Sequence, residues 1–124
     1  MLQRLKNVIV ATSFLAALIV SQQAFAHAHL ASATPADKAT ISESPKMLTL
    51  TFTEGVEPKF SGVMLMGADG SMVHTGKFTV DSADNKVVNV PLTAPLKTGS
   101  YRVDWHVLSV DGHKTKGSYN FTLK

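Results

Sequence analysis

Residues 47–53, MLTLTFT, alternate apolar and polar side chains so that Leu48, Leu50 and Phe52 share one face. A period of two is the mark of a half-buried strand, because successive side chains of an extended chain point to opposite sides. The same pattern recurs in segments 61–67, 71–80, 86–92, 100–108 and 117–123, separated by the turn-forming stretches ADG, DSADN, TAPLKTG and VDGHKTK. An edge strand at about residues 30–33 brings the number to seven. No apolar stripe with helical spacing extends over ten residues, and no repeat or low-complexity linker interrupts the pattern. Seven short strands in a chain of this size predict an all-β fold, an immunoglobulin-like two-sheet sandwich, with a small barrel as the competing architecture.

The alternation also names the core. Tyr101, Val103, Trp105 and Val107 share one face of the penultimate strand, and Tyr119, Phe121 and Leu123 share one face of the last. These faces are expected to meet Leu48, Leu50, Phe52, Val88 and Val90 across the sandwich, with Trp105 and the tyrosines burying the most area. Arg102, Asp104 and His106 fall on the opposite face of the penultimate strand and are expected to be wet.

The first 26 residues have a different character. Arg4 and Lys6 precede an apolar run at 8–20, and a polar exit SQQAFA carries small residues at Ala24 and Ala26. Order, length and charge are those of a secretory signal peptide cleaved after Ala26. The 13-residue apolar run falls short of the roughly 20 residues that a spanning helix needs. Cleavage leaves one domain, 27–124, that begins at His27 and is exported. Arg4 and Lys6 leave with the signal, so ten basic residues face nine acidic ones, and the basic balance of the full chain owes much to its leader. No basic run remains to attract nucleic acid. Cysteine is absent, so stability is expected from packing, and soft-metal chemistry has only Met and His to use.

Few residues are left for chemistry. There is no cysteine nucleophile, no nucleophile-elbow motif and no phosphate-cradling glycine motif, and the protein is read as a non-enzyme. The histidines are His27, His29, His74, His106 and His113. His113 lies in Val110-Asp111-Gly112-His113-Lys114, where the glycine permits a sharp bend and lets a carboxylate and an imidazole converge. By frequency an Asp-Gly-His sequence is more often simply a turn, and His27 with His29 are more often the start of a frayed chain. Taken together they move the expectation towards a metal site. A terminal His27 offers its α-amine and imidazole to one ion, and Asp111 with His113 completes an N,N,N,O set that suits Cu(II). A rival mode needs only the sequence HAH: the amine, two deprotonated backbone amides and the imidazole of His29 form a square-planar clamp for Cu(II) or Ni(II).

The stretch PADKATIxESP at 35–45, LTFTEGVE at 50–57 and above all YRVDWHVLSVDGHKTKGSYNF at 101–121 resemble the CopC family of periplasmic copper-resistance proteins, close to its short YobA-like members. The specific block is Trp105, Val107, Ser109, Asp111, Gly112 and His113. The resemblance implies a Greek-key sandwich that binds copper and carries or buffers it, often alongside an inner-membrane partner. It puts the Cu(II) ligands on His27, Asp111 and His113, and so selects the first metal mode. The protein is expected to be a monomer.

Some members of that family also hold Cu(I) through a methionine-rich loop. Here only Met64, Met66, Met72 and His74 surround the turn GADG, and no Cu(I) site is assigned to them. A two-residue turn would pair Met66 with Val73, whereas a three-residue loop at 68–70 would pair Met66 with Met72 and Met64 with His74. Two further function classes stand beside the carrier. A copper mono-oxygenase also uses an N-terminal histidine chelate, but it would want an open coordination position and a broad aromatic face. A metal-free immunoglobulin-like interaction module is the third. Glu54 receives no role.

Overall fold

The structure, a computed structural model, describes residues 28–124; the proposed signal segment and His27 lie outside the described residues. The described residues form nine strands: β1 (Leu30–Thr34), β2 (Thr40–Ile41), β3 (Met47–Phe52), β4 (Val56–Gly67), β5 (Met72–Val73), β6 (Thr79–Val80), β7 (Val87–Pro91), β8 (Gly99–Ser109) and β9 (Lys114–Leu123). They form a four-stranded sheet in the order β1-β3-β7-β6 and a five-stranded sheet in the order β2-β9-β8-β4-β5. The expected all-β sandwich is therefore the fold.

The core is the one that the alternation names. Leu48, Leu50, Phe52, Val88 and Val90 come from the four-stranded sheet, while Tyr101, Val103, Trp105, Val107, Tyr119, Phe121 and Leu123 come from the five-stranded one, and all are buried. Phe52 meets Trp105 edge to face, with centroids 5.1 Å apart and planes at 72°. Such a contact adds about 0.5–1.5 kcal/mol beyond area burial. The indole needs room on the neighbouring strand. Gly117 pairs with Trp105, and a methyl there would approach the indole Cζ2 to 2.5 Å, so glycine is dictated by packing. On the outer face Arg102 and His106 are exposed, and Arg102 pairs with the half-exposed Asp104 at 3.1 Å.

Three elements depart from the expected strands. The single strand expected at 71–80 is two: β5 extends the five-stranded sheet and β6 the four-stranded sheet, so this segment crosses between layers. The crossing is anchored by Gly76, whose N–H donates to Pro91 O at 2.7 Å and whose missing side chain leaves space for the Pro91 ring. β4 begins at Val56 instead of 61. Val56 and Leu65 both face inward although they lie an odd number of residues apart, and an irregularity between Glu57 and Gly62 absorbs the mismatch. Ser61 fills the gap in the ladder, its Oγ donating to Glu57 O at 2.6 Å and accepting Leu108 N–H at 2.9 Å. Finally, the two residues of β2 run parallel to the end of β9, a pairing that a two-residue strand cannot announce by periodicity.

The β4–β5 register is the three-residue-loop alternative: Gly67 N–H donates to Ser71 O, and Met66 pairs with Met72. Met64 and Met72 are exposed, on the outer face of the five-stranded sheet. Met66 also pairs with Arg102 near the start of β8, seven residues from Ser109 at its other end. At about 3.3 Å per residue Met66 lies roughly 23 Å from the Asp-Gly-His turn, and Met64, opposite Asp104, roughly 16 Å.

Candidate metal centre

The β8–β9 hairpin builds the turn. Ser109 N–H donates to His113 O and Gly112 N–H to Ser109 O, each at 2.9 Å, which leaves a three-residue loop of Val110, Asp111 and Gly112. Gly112 has φ +93°, the left-handed conformation that closes such loops and that favours glycine. The chain consequently returns on itself within one residue of Asp111, and the carboxylate and the imidazole of His113 face each other with Asp111 Oδ1 3.2 Å from His113 Nδ1. Both side chains are close to half exposed, so solvent and a solvated ion can reach them.

Ser109 organises this pair from beneath. It is a buried polar residue on a strand face that is otherwise apolar. Its hydroxyl donates to Asp111 Oδ1 and lies 3.2–3.3 Å from the backbone O and N of His113. The His113 N–H also points at Asp111 Oδ1, at 3.3 Å. The Ser109 hydroxyl, with lesser help from His113, holds the Asp111 carboxyl below its ordinary pKa of 3.8 against the opposing effect of burial, which is second in size only to that of Ser109. The group is therefore an anion at any pH near neutrality, as an oxygen donor to a cation must be. In the sequence Ser109 belongs to the family-like segment without an assigned role; a small polar residue at an inward-facing position two before the aspartate is the signal that marks it.

The start of the described chain comes to the same end of the sandwich. Ala28 is buried, and its carbonyl accepts the Thr115 hydroxyl at 2.8 Å, two residues along from His113. His29 is exposed, but its backbone is engaged on both sides: its N–H donates to Thr53 Oγ1 and its carbonyl accepts Thr53 N–H, both at 2.9 Å. The Thr53–Glu54–Gly55 connection borders the turn as well, through Val110 N–H donating to Gly55 O at 3.0 Å.

Asp111 and His113 are thus brought together, and His27 lies outside the described residues. His106 is not part of this group: it lies on the outer face of β8 with its ring over Gly62, where a methyl would meet Cε1 at 2.9 Å. His74 follows β5 and is likewise apart. Among the described residues no group of three or more His, Cys, Asp or Glu side chains could hold a metal ion, so the described part of the candidate centre is this one oxygen–nitrogen pair.

A matching turn provides a comparison within the molecule. At the opposite end of the five-stranded sheet Gly67 N–H donates to Ser71 O and Gly70 N–H to Gly67 O, Gly70 has φ +82°, and Asp69 Oδ1 accepts the N–H and hydroxyl of Ser71. Both turns use Asp-Gly in the same way, but one offers an imidazole next and the other a serine.

The chain and its fold have known relatives. The CopC domain model matches residues 30–124. YobA of Escherichia coli K12 is 44% identical over 114 residues, spanning 92% of each chain. Among solved structures, CopC from Methylosinus trichosporium OB3b superposes with a TM-score of 0.74 at 33% identity, covering 79% of this chain and 94% of that one. PcoC, a methionine-rich copper resistance protein from Escherichia coli, superposes with a TM-score of 0.71 at 34% identity, covering 80% of this chain and all of that one. The match runs through both sheets and the hairpin that carries Asp111 and His113, and the chain belongs to the CopC family of copper-resistance proteins.

Proposed function

We propose that the protein is a periplasmic copper carrier or buffer that holds Cu(II) with the α-amine and imidazole of a processed His27, the Asp111 carboxylate and the His113 imidazole. The observation that carries this reading is the anchorage of Ala28. Its carbonyl is tied to Thr115, two residues past His113, and a residue joined to Ala28 by a peptide bond has its Cα about 3.8 Å from that of Ala28. The described start of the chain is thereby anchored next to the turn, which supports a role for the residue before it. Two nitrogens from one residue, a third from His113 and an anionic oxygen are the donor types that Cu(II) favours in a tetragonal field.

The engagement of His29 argues against the local clamp. In that mode the His29 amide must lose its proton to become a ligand, yet this N–H is donated to Thr53. Copper capture through HAH alone would require the His29 amide to leave Thr53.

Residues 1–26 act, in this reading, as an export signal, and its cleavage after Ala26 creates the amine ligand. The site then exists only after export. The bound ion is cargo, and the protein performs no catalysis. The test is to compare processed protein with a form that begins Met-His27-Ala28-His29 and retains its methionine. All side chains are kept, but the amine becomes a peptide nitrogen. Competition against a chelator of known strength should show Cu(II) binding weakened by several orders of magnitude, because two donors on one residue bind with a large entropic advantage. Equal affinities would overturn the amine as a ligand. Reductant-dependent oxidation of a polysaccharide by the copper-loaded processed protein would overturn the carrier reading in favour of a mono-oxygenase.

A further inference from the structure

The β8–β9 ladder is regular over its whole length, from Gly99 opposite Leu123 to Leu108 opposite Lys114. The bond from Ser109 N–H to His113 O sets its phase: alternate residues of β9 from His113 onward bond to β8, and the residues between them turn their N–H and C=O away from it. At the far end these outward groups are used. Asn120 N–H donates to Asp37 Oδ1, Lys38 N–H donates to Asn120 O, Thr122 N–H donates to Ala39 O, and β2 pairs alongside. That cover stops at Asn120. Among the described residues nothing takes the outward N–H and C=O groups of Lys114, Lys116 and Ser118, and all three residues are exposed.

We propose that this open edge, residues 114–118, is a docking edge for an extended, acidic segment of a partner protein, which adds a strand to the five-stranded sheet immediately beside the Asp111–His113 turn. An unpaired, unbulged strand edge is a ready template for a further strand, and main-chain hydrogen bonds then supply the affinity. The other edges are less suitable. β1 is irregular between Leu30 and Ser32 in its register with β3, and β5 and β6 have two residues each.

Charge selects the occupant. Lys114 and Lys116 put two cations on one face of the edge, with no carboxylate on that stretch of β9. A second copy of the chain pairing antiparallel along the same edge would set lysine against lysine, and like charges directly opposite are destabilising. An acidic strand meets the same lysines with opposite charge, which also speeds encounter. The edge thereby rejects its own copy and accepts an acidic segment. Because the edge starts at the residue after His113, such a segment ends next to the proposed copper ligands. The pairing itself does not depend on that copper reading and is tested without metal.

The probe is a seven-residue peptide of alternating Glu and Thr, added to the isolated metal-free protein while amide hydrogen exchange is followed residue by residue. Exchange at Lys114, Lys116 and Ser118 should slow by about tenfold or more at saturating peptide, with Val103 and Phe121 serving as core references. An alternating Lys-Thr peptide should give no protection, and neither should a Glu-Thr peptide with N-methyl groups on alternate residues. In a Lys114→Glu/Lys116→Glu protein the preference should reverse, the Lys-Thr peptide protecting and the Glu-Thr peptide not. Absence of protection by the Glu-Thr peptide would overturn the proposal. So would protection that survives N-methylation, or equal protection by both charge forms.

Discussion

The two Asp-Gly turns allow turn formation and copper binding to be separated by one pair of substitutions. Gly112 has φ +93° and Gly70 φ +82°, and a methyl group at either position meets no atom within 4 Å. The cost of Gly→Ala at each site is therefore purely conformational. Holding an L-residue in the left-handed region costs about 1–2 kcal/mol, and the reduced freedom of the unfolded chain returns about 0.4–1 kcal/mol of this. Gly112→Ala and Gly70→Ala should each destabilise the metal-free protein by about 1 kcal/mol, a fall in Tm of roughly 4–8 °C for a domain of this size. Thermal unfolding followed by circular dichroism should give two values that agree within about 0.5 kcal/mol. Copper should distinguish them. Gly112→Ala strains the bend that sets Asp111 against His113 and should weaken Cu(II) binding, whereas Gly70→Ala, at the other end of the sheet, should leave it unchanged. Equal effects of the two substitutions on Cu(II) affinity would refute the assignment of the turn as a site, and an unaltered affinity in Gly112→Ala would refute the claim that this bend holds the ligands together.

Asp111→Ala and His113→Ala should each weaken Cu(II) binding severely while leaving the fold intact, and His29→Ala should do much less; chelator competition showing the reverse order would move the site to the local clamp. Ser109→Ala removes the main hydrogen bond that lowers the Asp111 pKa, so Cu(II) affinity should fall by less than in Asp111→Ala, and the loss of metal-free stability on acidification below about pH 4 should become smaller, because the folded and unfolded pKa values converge. The pH dependences of stability and of binding should diverge. Asp69 and Asp111 both have pKa values below the ordinary 3.8, mainly through the hydroxyls of Ser71 and Ser109, so the stability they contribute is present above about pH 4 and is lost as pH falls through the lowered values. Between pH 7 and 5 these two carboxylates leave stability unchanged, yet Cu(II) affinity should decline across that window, because imidazoles and an α-amine with reference values near 6.5 and 8 must shed protons to coordinate. A flat Cu(II) affinity profile there would rule out the amine–imidazole donor set.

How far the sequence reaches is visible in particular elements. The inward faces of β3, β7, β8 and β9 follow from alternation alone, because the period of two is written in consecutive residues and each face has only one partner layer to meet. The Asp-Gly turns are legible for the same reason, since their geometry is satisfied within five residues. Contacts between distant segments are not written locally. Whether residues 71–80 form one strand or cross between sheets depends on Gly76 meeting Pro91, and the inward turn of both Val56 and Leu65 depends on an irregularity set against β8. The candidate site divides in the same way. Asp111 and His113 are two residues apart, and their convergence could be anticipated from the glycine between them. The seat of Ala28 against Thr115, 87 residues away in the chain, the tether of His29 to Thr53 and the bare edge of β9 exist only once the two sheets have closed, because each depends on how segments distant in sequence satisfy, or leave open, one another's backbone groups.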